Sequence, residues 1–170
     1  MTNIVFSYAS YDLSVQRETF ACISRENYFR MGIFKSNFEK VLDKCTSNLL
    51  LEPDWEGMLQ LCDFIRGNDI KPREAVSLIK KTLEISNPHQ QFFGYCTLDT
   101  VAKNCGAPVH QEIITRSFLE QLKERVQSQI SEKITEKILE MIQTWGLAGR
   151  TKAEFKLATD MYNIMRGKTV

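Results

Sequence analysis

Apolar residues from Ser36 onward recur at helical spacing, and no strand-like alternation of period two competes with them. Ser36, Asn37, Phe38 and Glu39 form a capping-box pattern, with serine at the cap and glutamate three residues later. The pattern opens a helix with Phe38, Val41, Leu42 and Cys45 on one face. Pro53 and Asp54 mark a second start, in which Asp54 caps the first free amides and Gly67 stops the helix. Pro72 suits the first turn of a third helix, which buries Ala75, Val76, Ile79 and Leu83. Asn87 and Pro88 repeat that signal for a fourth, closed by Gly106 at the C′ position. Its apolar residues, from Phe92 to Cys105, surround most of the axis, the pattern of a central helix.

Pro108 begins a short fifth helix running to Ile114, and a second capping box, Ser117 to Glu120, opens a sixth with Leu122 and Val126. A longer seventh carries Ile130, Ile134, Ile138, Met141, Ile142 and Trp145 on one stripe. The last starts near Ala153 and places Phe155, Ala158, Met161, Tyr162 and Met165 together. The expected fold is all-α: about eight helices on tight connections, with consecutive helices stacking in an α-solenoid-like array. Residues 1–35 differ. Phe6, Tyr8, Tyr11, Phe20, Tyr28 and Phe29 follow no sustained period, and only a short helix around Leu13 to Ile23 is expected. The chain divides into a loosely ordered N-terminal extension, residues 1–35, and a helical domain over 36–168.

Composition narrows the function. The 22 basic residues nearly cancel the 21 acidic ones, and a net charge of +1 argues against a protein that wraps nucleic acid. Five cysteines, with no C-x-x-C pair, form neither a disulfide framework nor a zinc site. Cys45, Cys62, Cys96 and Cys105 fall within apolar helical patterns and read as core thiols in a reducing compartment. No apolar run approaches the roughly 18 residues of a membrane span, and no secretory signal opens the chain. A cytosolic protein is the expectation.

Catalytic chemistry has little to stand on. The two histidines, His89 and His110, each sit just inside a helix and lack the i, i+4 partner of a zinc helix. The chain has no P-loop, no G-x-G-x-x-G and no G-x-S-x-G. Glu136 and Glu140 lie among Lys133 and Lys137 on a charged face, which i, i+4 pairing explains. Neither an enzyme nor a cofactor is expected.

Surfaces remain. In the second helix the apolar arc from Leu61 through Ile65, Met58, Cys62 and Trp55 to Leu59 spans about 160°. A single core contact needs only about 100°. Trp55 and Leu59 occupy one edge, next to Glu56 and Asp63. Two readings follow: the helix is wedged between neighbours and both residues are core, or they form an exposed apolar patch with a polar rim. Lysines and arginines make small groups: Lys71 with Arg73, Lys80 with Lys81, and Arg150, Lys152 and Lys156. Solvated helix faces explain them, with weak contact to anionic lipid as the alternative.

The stretches LDKCTSNLLLEPDWEGMLQLCDFIR (Leu42 to Arg66), NPHQQFFGYCTLDTVAKNCG (Asn87 to Gly106), VHQEI (Val109 to Ile113) and KILEMIQTWG (Lys137 to Gly146) resemble the VHS domain. DW at one helix start, NPH at another and KNCG at its close carry the resemblance, which covers about three quarters of the chain. It implies a right-handed superhelix of eight helices in a cytoplasmic adaptor peripheral on early endosomes. Such adaptors sort ubiquitinated membrane proteins toward lysosomes together with other sorting subunits. VHS domains of this type bind ubiquitin weakly through the second helix and part of the fourth. The family's tryptophan, and the leucine one turn later, fall on Trp55 and Leu59, which favours the exposed-patch reading. Met58, Asp63, Gln90 and Phe93 join them by proximity in helical geometry. Three other readings stay open: a lipid-surface module using Lys80, Lys81, Lys152 and Lys156, a reader of acidic dileucine tails using Lys123, Lys152 and Lys156, and a structural role in docking to other parts of the same adaptor.

Overall fold

The computed structural model describes residues 35–129 and 131–167. The expectations for residues 1–34, including the helix near Leu13 to Ile23, lie outside these, as does that for Ile130. Among the described residues the structure is all-helical. It comprises α1 (Asn37–Cys45), α2 (Trp55–Arg66), α3 (Pro72–Thr82), α4 (Pro88–Asn104), α5 (Ala107–Ile113), α6 (Arg116–Ser128), α7 (Glu132–Ala148), a 3-10 turn (Ala153–Phe155) and α8 (Lys156–Gly167).

Local chemistry sets most of the boundaries. Asp54 caps α2, its Oδ1 accepting from the Gly57 amide at 3.0 Å. Proline stands in the first turn of α3 and α4, where its missing N–H costs no helical bond. Asn87 caps α4 by accepting from the His89 amide at 2.9 Å. Gly106 follows the C-cap of α4 with φ +75°, a conformation that favours a residue without a β-carbon. One cap differs from expectation. The residue capping α6 is Thr115, not Ser117: Thr115 is extended and its hydroxyl accepts from the Phe118 amide, while Ser117 already lies within the first turn.

Helix α4 is the hub. It packs against α2, α3, α5 and α7, and its buried residues run from Gln91 through Ala102 with only Phe92 half-buried. This is the central helix that its all-round apolar pattern predicts. The α1–α2, α6–α7 and α7–α8 pairs stack as sequence neighbours, while α2–α4, α3–α5 and α6–α8 skip one. Skipping pairs wind the array into a superhelix rather than a flat row. One continuous core runs through it, with Met58, Leu61, Ile79, Leu98, Ile113, Leu122, Ile138, Met141 and Trp145 all fully enclosed.

Candidate functional site

The α2–α4 seam divides the apolar arc of α2 into two parts. Met58, Leu61, Cys62 and Ile65 face the core, whereas Trp55 is 59% exposed and Leu59 47%. The arc is wide because its edge reaches solvent. Trp55 and Leu59 flank a depression of about 290 Å³, floored by Cys96, Asp99 and Thr100 of α4. Lys103 and Asn104 of α4 and Lys137 and Glu140 of α7 complete its rim.

A buried charge organises that rim. The Asp99 side chain is only 4% exposed, and its Oδ2 accepts from Lys103 Nζ at 2.7 Å and from Lys137 Nζ at 2.9 Å. Lys137 also reaches Glu140 at 3.2 Å. Burial pulls the Lys137 ammonium down, but the hydrogen bonds and charges of Asp99 and Glu140 outweigh it, and its pKa stands above the ordinary lysine value. Both lysines are thereby held in fixed positions beside the apolar pair.

The remaining expected contact residues divide. Asp63 is exposed on α2 and pairs with Arg66 at 2.6 Å. Met58 and Phe93 are fully buried, which corrects their reading as contact residues. Met58 lies beneath the patch, where its sulfur accepts from the Thr100 hydroxyl at 3.7 Å, and Phe93 packs edge-on against His89. Gln90 is a staple: its amide donates to the Thr46 carbonyl at 3.1 Å, while His89 Nε2 meets the Leu50 carbonyl at 2.6 Å. These two bonds tie the α1–α2 loop to the start of α4. Leu49 and Leu51 project from that loop, 84% and 95% exposed, a feature that helical periodicity does not register.

The basic groups also separate. Lys80 is half-buried: its ammonium donates to the Glu112 carbonyl at 2.9 Å and lies 4.2 Å from the centre of the Phe118 ring. Burial holds its pKa below the ordinary value, so Lys80 braces α3 against α5 and α6 rather than facing lipid. Lys81, Lys152 and Lys156 are exposed. A second groove, of about 560 Å³, lies between α6, α7 and α8, lined by Val126, Leu139, Ile142, Tyr162, Ile164 and Met165 with Lys123 and Arg166 at its edge. Lys152 and Lys156 do not line it.

His110 is buried between the Ala102 carbonyl at 2.7 Å and Glu154 at 3.3 Å, a packing position against Phe155. Among the described residues no group of three or more His, Cys, Asp or Glu is placed to hold a metal. No described helix is long and apolar enough to cross a membrane.

The fold and the α2–α4 seam can be set beside known proteins. A sequence model of the VHS domain matches residues 33–169. This chain belongs to the VHS family. Its VHS domain is 38% identical over 136 residues to hepatocyte growth factor-regulated tyrosine kinase substrate of Drosophila melanogaster, covering 80% of this chain and 18% of that protein. TOM1-like protein 3 of Arabidopsis thaliana is 32% identical over 132 residues, 77% of this chain and 26% of the relative. Class E vacuolar protein-sorting machinery protein HSE1 of Mycosarcoma maydis is 39% identical over 89 residues, 52% of this chain and 15% of the relative. The VHS domain thus spans about a quarter or less of these relatives. Among solved structures, the VHS and FYVE tandem domains of Hrs, a protein involved in membrane trafficking and signal transduction, superimpose with a TM-score of 0.76 at 38% identity. That match covers 80% of this chain and 63% of the other.

Proposed function

We propose that this VHS domain is a non-enzymatic module of an endosomal sorting adaptor, binding ubiquitin weakly through Trp55 and Leu59 and helping to retain ubiquitinated membrane proteins on their way to lysosomes. One observation carries the reading: the two apolar residues of α2 that the core leaves uncovered are a tryptophan and a leucine one turn apart. A large aromatic held on a rigid helix is a typical anchor for a partner surface. The rim is of mixed charge, with Glu56 and Asp63 exposed on α2 and Lys103, Lys137 and Glu140 beside the depression. That rim suits an apolar partner patch bordered by polar and charged side chains of both signs. The trafficking relatives supply the setting, peripheral on early endosomes with other sorting subunits as partners.

A patch of this size gives a dissociation constant on the order of 0.1–1 mM, so retention of cargo depends on several weak sites acting together. The test is an NMR titration of the isotopically labelled chain with ubiquitin, alongside Trp55→Ala and Leu59→Ala. Saturable shifts centred on α2 and lost in both folded variants support the assignment. No shift at millimolar ubiquitin removes it.

The α6–α8 groove favours a second reading, capture of an acidic dileucine tail. Its apolar lining fits paired leucines, and Arg166 offers positive charge beside a Lys123 that is paired with Glu120. Titration with such a peptide, read at Leu139 and Ile164, separates the two. Of the lysines expected to meet anionic lipid, Lys80 is engaged internally, which leaves that surface thin.

A further inference from the structure

Cys62 and Cys105 meet at the same α2–α4 seam, though 43 residues apart in sequence. Cys62 points inward from α2 and is fully buried; Cys105 is the half-buried C-cap of α4. The Cys105 sulfur lies 3.9 Å from the Cys62 carbonyl oxygen, and the Cys62 sulfur lies 4.0 Å from the Thr100 carbonyl, on the turn of α4 that precedes Cys105. Each thiol thus reaches a backbone carbonyl of the facing helix, which brings both to the same point of the seam.

We propose that Cys105 and Cys62 form an oxidisable dithiol, a modification site that takes a hydroperoxide and closes into a disulfide bridging α2 to α4.

The pair is chemically asymmetric. The neighbouring Cys62 thiol and the Arg66 guanidinium outweigh burial and hold the Cys105 thiol below its ordinary value of 9.0. Its partner Cys62 is driven strongly upward by the adjacent Cys105 thiol and by burial. Elsewhere in the described core, burial pushes Cys45 up to about 12 and Cys96 to about 11. Among the described cysteines Cys105 is therefore the best nucleophile, and Cys62 is the thiol in reserve beside it.

In the first step the Cys105 thiolate attacks one peroxide oxygen, the O–O bond breaks and hydroxide or alkoxide leaves, giving a sulfenic acid. In the second, the Cys62 sulfur attacks Cys105, an S–S bond forms and the S–O bond breaks. The departing hydroxide takes the Cys62 proton as water. The two sulfurs together lose two electrons and the peroxide gains them.

The test treats the folded chain with equimolar hydrogen peroxide, blocks remaining thiols and maps peptides by mass spectrometry without reduction. The expected product joins the Cys62 and Cys105 peptides, two hydrogens lighter than the reduced pair, reversed by dithiothreitol and absent from Cys105→Ser. Cys62→Ala should instead stop at a Cys105 sulfenic acid, trapped by dimedone; if that variant does not fold, the wild-type crosslink and Cys105→Ser decide. Peroxide that leaves Cys105 reduced, carries it only to sulfinic acid, or links Cys45 or Cys96 as readily would overturn the proposal.

Discussion

Gly57 of α2 and Cys45 of α1 meet so closely that a β-carbon built at position 57 stands 2.6 Å from the Cys45 sulfur. The same added carbon would crowd the capping carboxylate of Asp54 at 2.7 Å. Glycine inside a helix ordinarily costs about 1 kcal/mol relative to alanine. Here the close crossing uses that position, so the usual gain from alanine should reverse. Gly57→Ala is expected to lower stability by up to about 2 kcal/mol, the cost of overpacking less the propensity gain. Urea denaturation checks it, and a stabilised variant would show that α1 can shift aside.

Two neighbours on α2 should respond in opposite ways. Met58→Ala removes a fully enclosed side chain and should cost about 2–5 kcal/mol. Leu59→Ala, half exposed, should cost under about 1 kcal/mol while carrying the binding defect. Equal losses in urea midpoints would mean that Leu59 is a core residue after all.

Asp99→Asn keeps shape and removes charge, leaving Lys103 and Lys137 without the carboxylate they share. Lys103 is partly solvated, so the expected loss is about 1–3 kcal/mol rather than that of a fully buried pair. The pH dependence has a definite sign. The Lys137 pKa is raised in the folded chain, so its contribution is complete below the ordinary value of 10.5 and drains as pH rises through the raised one. Wild type should therefore lose stability on the alkaline side more steeply than Asp99→Asn, measured by melting temperature against pH.

Among the described cysteines, alkylation should find Cys105 first. With its pKa below 9.0 and those of Cys45 and Cys96 near 12 and 11, iodoacetamide should label Cys105 at a pH where those two are inert. Peptide mapping across a pH series tests this, and simultaneous labelling of all three would indicate global opening.

Much of this architecture is written in the period of the apolar residues. Proline, aspartate and asparagine at the starts of α2, α3 and α4, and Gly106 at the close of α4, mark boundaries through backbone chemistry that acts locally. Exposure is harder to read. Periodicity puts Met58 and Leu59 in one broad arc but cannot show where the neighbouring helix ends, and that edge decides which of them meets solvent. Phe93 and Gln90 illustrate the same limit: helical geometry groups both with the patch, yet one points into the core and the other binds a loop carbonyl. Lys80 misleads for a different reason, since a long aliphatic stem lets a charged residue run under the surface to a distant carbonyl. At α6, two hydroxyl residues two positions apart compete to cap, and only the extended backbone of Thr115 settles the choice.

The central place of α4 has a consequence for how such a domain changes over time. One helix supplies the floor of the candidate site and the middle of the core, so most substitutions that reshape the floor also threaten folding. The outer edge of α2 carries no such burden. Trp55 and Leu59, with exposed Glu56 and Asp63 around them, can vary in size and charge while α4 stays as it is. Under the proposed reading, partner choice and foldability are drawn from different residues, so affinity could be tuned without rebuilding the domain.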